Sequence, residues 1–153
     1  GFKGRKGTLY EGGIRVPFIV NQPGLVPIHT LDNLIYFPDM MPTLAALAKG
    51  TKHLPKQING INILPLFYGK QVDTDNRLLY WEFPGKQRAA RKGDWKCVTI
   101  HPNQPLELYN LKEDPEETNN LAKKYPRRVK EFDEEMQRMH IPTPNWPQPG
   151  EQV

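Results

Sequence analysis

The sequence predicts an α+β chain in two parts: a strand with helices, then a small antiparallel sheet with one packed carboxyl-terminal helix. An apolar run at residues 14–20 precedes a helical pattern at 39–50. Residues 77–111 alternate apolar with polar positions, which is typical of strands half-buried in a sheet. A late amphipathic segment at about 126–140 supplies the last helix. The charged stretch near residue 74 is the predicted boundary between the parts, 1–74 and 75–153.

In the first part, residues 14–20 read as a strand covered on both faces, with Pro17 at an edge or bulge. The next helix has Asp39 as its N-cap and Gly50 as its stop. A second, shorter helix over 63–68 follows Asn62 as its cap. The apolar face of the longer helix consists of Leu44, Leu47 and Ala48.

In the second part, four strand-like segments form a predicted antiparallel meander, with a hairpin-type connection at Lys92-Gly93-Asp94. The final helix begins near Pro126, and a helix that docks on its own sheet is favoured over one that binds a partner. A proline-rich tail at 142–150 follows in extended form. The apolar stripe of the helix consists of Val129, Phe132, Met136 and Met139.

Composition limits the function classes. With 153 residues the chain can bury a core, while 16 prolines and 12 glycines predict short elements joined by long connections. The net charge of +4 is scattered, so no basic face predicts nucleic-acid binding. No apolar run reaches the ~20 residues of a membrane span, and no signal peptide is visible. Because the chain opens on a charged glycine loop, we expect it to be the carboxyl-terminal part of a longer protein.

The opening loop is the first candidate site. Glycines at positions 1, 4 and 7 alternate with Lys3, Arg5 and Lys6. Glycine lets the backbone approach a ligand, and neighbouring cations favour an anion such as sulfate or phosphate. A solvated basic loop is the alternative interpretation that composition leaves open.

Two other features favour structural roles. Cys97 is the only cysteine and lies in an alternating strand pattern, which favours a buried thiol over a nucleophile. The Asp32-Asn33 pair carries oxygen ligands that suit calcium, but no other acidic residues cluster near it. A turn before a short strand at 34–36 is therefore the favoured interpretation.

Residues 6–17 read Lys-Gly-Thr-Leu-Tyr-Glu-Gly-Gly-Ile-Arg-Val-Pro, which resembles the second signature of the type I, formylglycine-dependent sulfatases. These enzymes belong to the alkaline-phosphatase-like superfamily. Further phrases resemble the carboxyl-terminal part of bacterial arylsulfatase and N-acetylgalactosamine-6-sulfatase-like members, in the family's order: Tyr-Trp-Glu at 80–82, Ala-x-Arg-x-Gly-x-Trp-Lys at 89–96, Glu-Leu-Tyr-x-Leu at 107–111 and Asp-Pro-x-Glu-x-x-Asn-Leu at 114–121.

The resemblance implies that residues 1–74 end an α/β catalytic domain and that 75–153 form its antiparallel subdomain. It assigns sulfate binding and a catalytic role to Lys6. The formylglycine nucleophile and the calcium ligands of the family are expected outside this chain, in a missing amino-terminal part of the same protein. The chain alone should therefore be inactive, while the whole protein would hydrolyse a sulfated carbohydrate or aryl ester.

A second group of candidate substrate-binding residues lies in the predicted sheet. Aromatic faces stack on sugar rings, and cations pair with sulfates or carboxylates of a charged saccharide. A core position for the tryptophan and a strand-end charge for the glutamate are the structural alternative. These residues are Trp81, Glu82, Lys86 and Arg88.

Two other functions stay open at this point. The chain could come from a related phosphodiesterase or phosphatase, or it could be a non-catalytic module that binds anions or saccharides. The family resemblance alone favours a periplasmic or secreted location.

Overall fold

The computed structural model describes residues 1–84, 87–101, 103–144 and 147, and divides the chain into two compact units. One unit joins Gly1–Val16 to the segment from Arg77 onward, and the other is Pro17–Asn76. The predicted assignment of 1–74 and 75–153 to two domains of a larger protein stays a prediction. Of the proline-rich tail, residues 145, 146 and 148–150 lie outside the described residues.

The first unit contains a four-stranded antiparallel sheet in the order β1-β2-β3-β4. Its register aligns Trp81 with Ala89 and Ala89 with Val98. Gly93, with a φ of 55°, occupies the tight turn between the second and third strands. The predicted meander is confirmed. Its strands are β1 Leu78–Phe83, β2 Gln87–Lys92, β3 Trp95–Thr99 and β4 Glu107–Asn110.

One face of this sheet is covered by helix α4, Pro126–Met139. Phe132 and Met136 from the helix form a buried cluster with Ala90, Cys97 and Leu108 from the sheet. Proline stands at the start of the helix, where no intrahelical donor is lost. The docking of this helix on its own sheet is confirmed.

The other face is covered by the opening segment of the chain. Leu9 and Tyr10 are buried there against Ala89, Val98 and Tyr109. A one-turn helix, α1 (Glu11–Ile14), follows them directly. The opening loop is therefore built onto the sheet, although about 70 residues separate them in sequence.

The predicted strand at 14–20 is wrong. Ile14 ends helix α1, and the residues after it form no strand. Val16 and Ile19 are 74% and 85% exposed. A strand needs a neighbour to accept its backbone N–H groups, and no described strand pairs with these residues.

The second unit consists of short helical elements: a 3-10 turn at Phe37–Asp39, helix α2 (Met40–Leu47), a 3-10 turn at Thr51–His53 and helix α3 (Leu64–Phe67). Asn62 Oδ1 accepts a hydrogen bond from Leu64 N at 2.9 Å, but Ile63 and not the predicted Asn62 occupies the N-cap position of α3. The Asp39 carboxylate does not cap the longer helix. It accepts from Tyr36 N at 3.0 Å and Ile61 N at 2.9 Å, so it caps the preceding turn.

The helix predicted within 39–50 is confirmed as α2, whereas the short strand predicted at 34–36 is wrong. Helix α2 exposes Leu44 and Leu47, because it is anchored by its other side, where Thr43 Oγ1 accepts from Ile63 N at 3.0 Å. Residues 34–36 form no strand, because Leu34 N donates to Thr74 Oγ1 at 3.1 Å instead of to a strand. Among the described residues, no helix combines the length and apolar character needed to cross a membrane.

Candidate functional site

Lys6 lies at the tip of a tight turn. Thr8 N donates to Arg5 O at 3.0 Å, and Gly7 takes a φ of 93° at the third position of the turn, as a type II turn requires. The Thr8 hydroxyl donates to the same Arg5 carbonyl at 2.9 Å. Lys6 is exposed, and no hydrogen bond or ion pair to another described residue engages its ammonium group. The charge is therefore available to an anion.

The paired glycines of the signature let the loop fold back against α1. Gly12 N donates to Lys3 O at 2.8 Å, and a Cβ on Gly12 would lie 2.6 Å from that same oxygen. A Cβ on Gly13 would lie 2.0 Å from Thr8 O. Both contacts are with backbone atoms, so a side chain at either position would displace the loop that holds Lys6.

We expect Gly13→Ala to lower the free energy of unfolding by about 1–3 kcal/mol, because the added methyl group overpacks against Thr8 O. Gly50→Ala is the matched control, since its Cβ would meet only Ala45 O at 3.8 Å. Denaturant unfolding of the two variants measures the difference. Equal losses in both variants would contradict this close approach.

A buried group of charges, the Glu11–Lys96–Glu117 cluster, ties the loop to the sheet. Lys96 is fully buried on β3, with its Nζ 2.8 Å from Glu11 Oε1 and 2.9 Å from Glu117 Oε1. Glu117 Oε2 also accepts a hydrogen bond from Glu11 N at 2.7 Å. Glu11 is the glutamate of the signature, so one motif residue binds two elements that follow much later in the chain.

The electrostatics of the cluster depend on neighbouring arginines. Arg91 Nη1 lies 3.8 Å and Arg15 Nη1 4.0 Å from Glu11 Oε2. Burial raises the pKa of Glu117, although Lys96 acts in the opposite direction. The ammonium group of Lys96 is therefore the main compensation for two carboxylates held away from water.

Sequence reasoning missed this cluster, but a signal was present. Lys96 has the same period-two register as Val98 and Ile100, which places its side chain on a face that is otherwise apolar. A charged residue at such a position needs a buried partner. The partner, Glu11, lies 85 residues away in sequence, so no local pattern identifies it.

Gln87, the first residue of β2, makes a second anchor. Its Nε2 donates to Gly7 O at 2.9 Å, and its Oε1 accepts from Leu9 N at 3.2 Å. The side chain is only 9% exposed. One buried amide thus holds the backbone on both sides of Thr8, directly after Lys6.

Lys3 has a structural role. Its Nζ lies 3.2 Å from Glu107 Oε2, which also accepts from the hydroxyls of Tyr10 and Tyr109, both at 2.7 Å. Burial alone would raise the pKa of Glu107, but the bonds from Tyr109, Tyr10 and Lys3 outweigh it and lower that pKa. Burial and the bond to Glu107 raise the pKa of both phenols. The ammonium group of Lys3 is therefore paired with the carboxylate of Glu107.

The second group of candidates is divided between the two faces of the sheet. Trp81 packs beside the cluster that covers the loop side, whereas Glu82 and Arg88 lie on the α4 side and face each other across β1 and β2. The carboxylate of Glu82 accepts from the Tyr80 hydroxyl and contacts His140. Lys86 lies outside the described residues.

Arg88 is also engaged on this side of the sheet, where its Nη2 lies 3.4 Å from Asp133 Oδ1 of α4. The geometry therefore brings Glu82 and Arg88 together beside the helix. It does not place them on the face that carries the opening loop. Substrate binding by Trp81, Glu82, Lys86 and Arg88 stays a prediction.

The described residues offer no nucleophilic thiol and no fitting calcium site. Cys97 is fully buried, and burial raises the pKa of its thiol to about 12, which confirms the prediction of a buried strand cysteine. In the described ranges, no three His, Cys, Asp or Glu side chains group as metal ligands. Asn33 Nδ2 instead donates to Thr74 Oγ1 at 3.3 Å.

Known proteins resemble most of this chain. Residues 3–141 match the family described as N-sulphoglucosamine sulphohydrolase, C-terminal. A sulfatase of Formosa agariphila is 32% identical over 139 residues, which cover 80% of this chain and 25% of that protein. An N-acetylgalactosamine-6-O-sulfatase of Bacteroides thetaiotaomicron is 29% identical over 147 residues, which cover 87% of this chain and 29% of that protein.

The fold has a close counterpart among solved structures. The crystal structure of Ps i-CgsB in complex with k-i-k-neocarrahexaose superposes with a TM-score of 0.79 at 25% identity. The match covers 97% of this chain and 34% of that one. The chain therefore spans between a quarter and a third of these relatives.

Proposed function

Because the chain belongs to the sulfatase family and corresponds to the family's carboxyl-terminal domain, we propose that it forms part of a sulfuric ester hydrolase in which Lys6 binds the sulfate group of the substrate. The observation that carries this proposal is the ammonium group of Lys6, exposed on a turn that Gln87 anchors to the sheet. Lys3 is committed to Glu107, so Lys6 is the better candidate within this loop.

The chemistry assigned to Lys6 is electrostatic. A charge-assisted hydrogen bond to a sulfate oxygen orients the ester and stabilises negative charge that builds during transfer. The anchored turn fixes the backbone from which the Lys6 side chain extends, so only the side chain itself has to be ordered when substrate binds. Lys6 supplies no nucleophile.

The remaining catalytic groups are proposed to lie in an amino-terminal segment of the same protein. That segment would provide the formylglycine, made from cysteine or serine, and the calcium ligands. Calcium would supply further stabilisation of negative charge when bound. Residues 1–153 alone should therefore release no sulfate.

The proposed substrate is a sulfated saccharide. Support comes from the B. thetaiotaomicron relative, which is named for N-acetylgalactosamine 6-O-sulfate, and from the solved structure that holds a neocarrahexaose. An aryl sulfate would serve as a simple test ester. A substrate of this kind fits a protein that acts in the periplasm or after secretion, which is the proposed location.

The experiment is an assay of the intact protein with sulfated saccharides, an aryl sulfate and matched phosphate mono- and diesters. We expect sulfate release from the sulfated compounds and much slower hydrolysis of the phosphate esters. Faster phosphate-ester hydrolysis would favour a related phosphodiesterase or phosphatase. Calorimetric binding of sulfated sugars without any hydrolysis would instead favour a non-catalytic binding module.

A further inference from the structure

The side chain of Gln87 bonds to the opening loop as a backbone peptide group would. Its Nε2 donates to Gly7 O at 2.9 Å and its Oε1 accepts from Leu9 N at 3.2 Å. One donor and one acceptor thus meet the two backbone groups that flank Thr8. The side-chain amide of this β2 residue therefore hydrogen-bonds to the backbone of residues 7–9, which do not form a strand.

This contact fixes the backbone at residues 7–9, which connect the turn to helix α1. The turn closes between Arg5 and Thr8, and Lys6 lies between them. On the entry side, Lys3 is held by Glu107 at 3.2 Å. Restraints on both sides leave the tip of the turn little freedom to move away from the sheet.

The Glu11–Lys96–Glu117 cluster anchors the loop further along, at the start of α1. It holds the loop to the sheet, but four residues lie between Lys6 and Glu11. Gln87 bonds to Gly7, the residue that follows Lys6 directly. Gln87 is therefore the side chain best placed to set the position of the ammonium group.

We propose that Gln87 is a positioning residue that acts through Lys6, fixing the turn so that the ammonium group meets the sulfate oxygen of the ester. This inference rests on the proposed function of Lys6. The role assigned to Gln87 is to preorganise the backbone that carries the cation, through its bonds to Gly7 O and Leu9 N. A misplacement of about 1 Å at a reacting centre costs up to about a hundredfold in rate.

The test is a double-mutant cycle in the intact enzyme, with Gln87→Met and Lys6→Ala alone and together. Methionine keeps the volume and unbranched shape of glutamine but removes both hydrogen bonds. We expect Gln87→Met to lower kcat/KM for a sulfate ester by about tenfold to a hundredfold. It should also weaken inhibition by inorganic sulfate. In the Lys6→Ala background it should change neither quantity.

A matched control separates positioning from stability. Asn120 Oδ1 also accepts two backbone hydrogen bonds, from Leu108 N at 3.1 Å and from Ala122 N at 2.9 Å, but it holds a different segment. Asn120 is exposed, so Asn120→Leu should lower the melting temperature less than Gln87→Met does, and it should leave kcat/KM and sulfate inhibition unchanged. Gln87→Asn, which keeps the amide but shortens its reach, gives a second measure if the methionine variant folds poorly.

The outcomes separate the two proposals. Equal losses from Gln87→Met in both backgrounds, or no loss in either, would overturn the positioning role while Lys6 keeps its own. Full activity of Lys6→Ala would instead overturn the sulfate-binding assignment and the role of Gln87 together.

Discussion

Replacing Lys96 by methionine is expected to lower the free energy of unfolding by about 3–5 kcal/mol, the usual cost of removing one partner from a buried ion pair. The substitution preserves most of the side-chain volume, so little of this loss comes from packing. It leaves Glu11 and Glu117, both nearly fully buried, without the ammonium group that lies within 2.9 Å of each. Urea or thermal unfolding at neutral pH measures the loss.

The matched control for this substitution is Lys130→Met. Lys130 pairs with Glu134 at 3.8 Å on the exposed side of α4, and its side chain is 80% exposed. Exposed pairs contribute about 0–1 kcal/mol, so this variant should unfold nearly as the parent does. Similar losses from both variants would show that the buried cluster has no special role.

The pH dependence gives an independent check of the same cluster. The pKa of Glu117 is raised by burial while Lys96 opposes the rise. Without Lys96 the pKa of Glu117 in the folded state should rise further. A carboxyl whose pKa is higher in the folded than in the unfolded state lowers the free energy of unfolding as the pH rises. The difference in free energy of unfolding between the parent and Lys96→Met should therefore be largest near pH 7 and become smaller toward pH 4.

Replacing Lys6 by alanine is expected to lower the rate of the intact enzyme by about a hundredfold, as the loss of one oxyanion donor does in other enzymes. Lys6 is exposed, and no described residue pairs with its ammonium group, so the fold should lose almost nothing. The rate of sulfate release and the melting temperature, measured together, test this combination.

Arg5→Ala is the matched control for the loop, since Arg5 is an exposed cation in the same turn but outside the matched signature. It should keep most of the activity if the role belongs to one position and not to the net charge of the loop. Near-normal turnover of Lys6→Ala, or an equal loss in Arg5→Ala, would contradict the assignment of sulfate binding to Lys6.

The second half of the fold could be read from the sequence because its signals are local. The alternation in 77–111 and the spacing of Phe132 and Met136 each depend on neighbours within a few residues. The strand expected at 14–20 failed for the opposite reason. An apolar run shows that a segment can be buried, but a strand also requires a partner, which is not a property of the segment.

The candidate site was only partly predictable. The signature singled out Lys6 and its loop, yet nothing local showed that Gln87 or Lys96 would bond to that loop. Trp81, Glu82 and Arg88 look like one patch in sequence, but the pleat of the strand sends Trp81 to one face and Glu82 to the other. Alternation along β1 could have shown that split in advance.

The anchoring of the loop also fixes an order of assembly. Leu9 meets Gln87 across 78 residues, Glu11 meets Glu117 across 106, and Lys3 meets Tyr109 across 106. Contacts of such high sequence separation form slowly, and during translation they must wait for the later residues to leave the ribosome. Within this chain, the loop that carries Lys6 is consequently among the last parts to reach its native conformation, because it stays without its partners until residue 117 has been made.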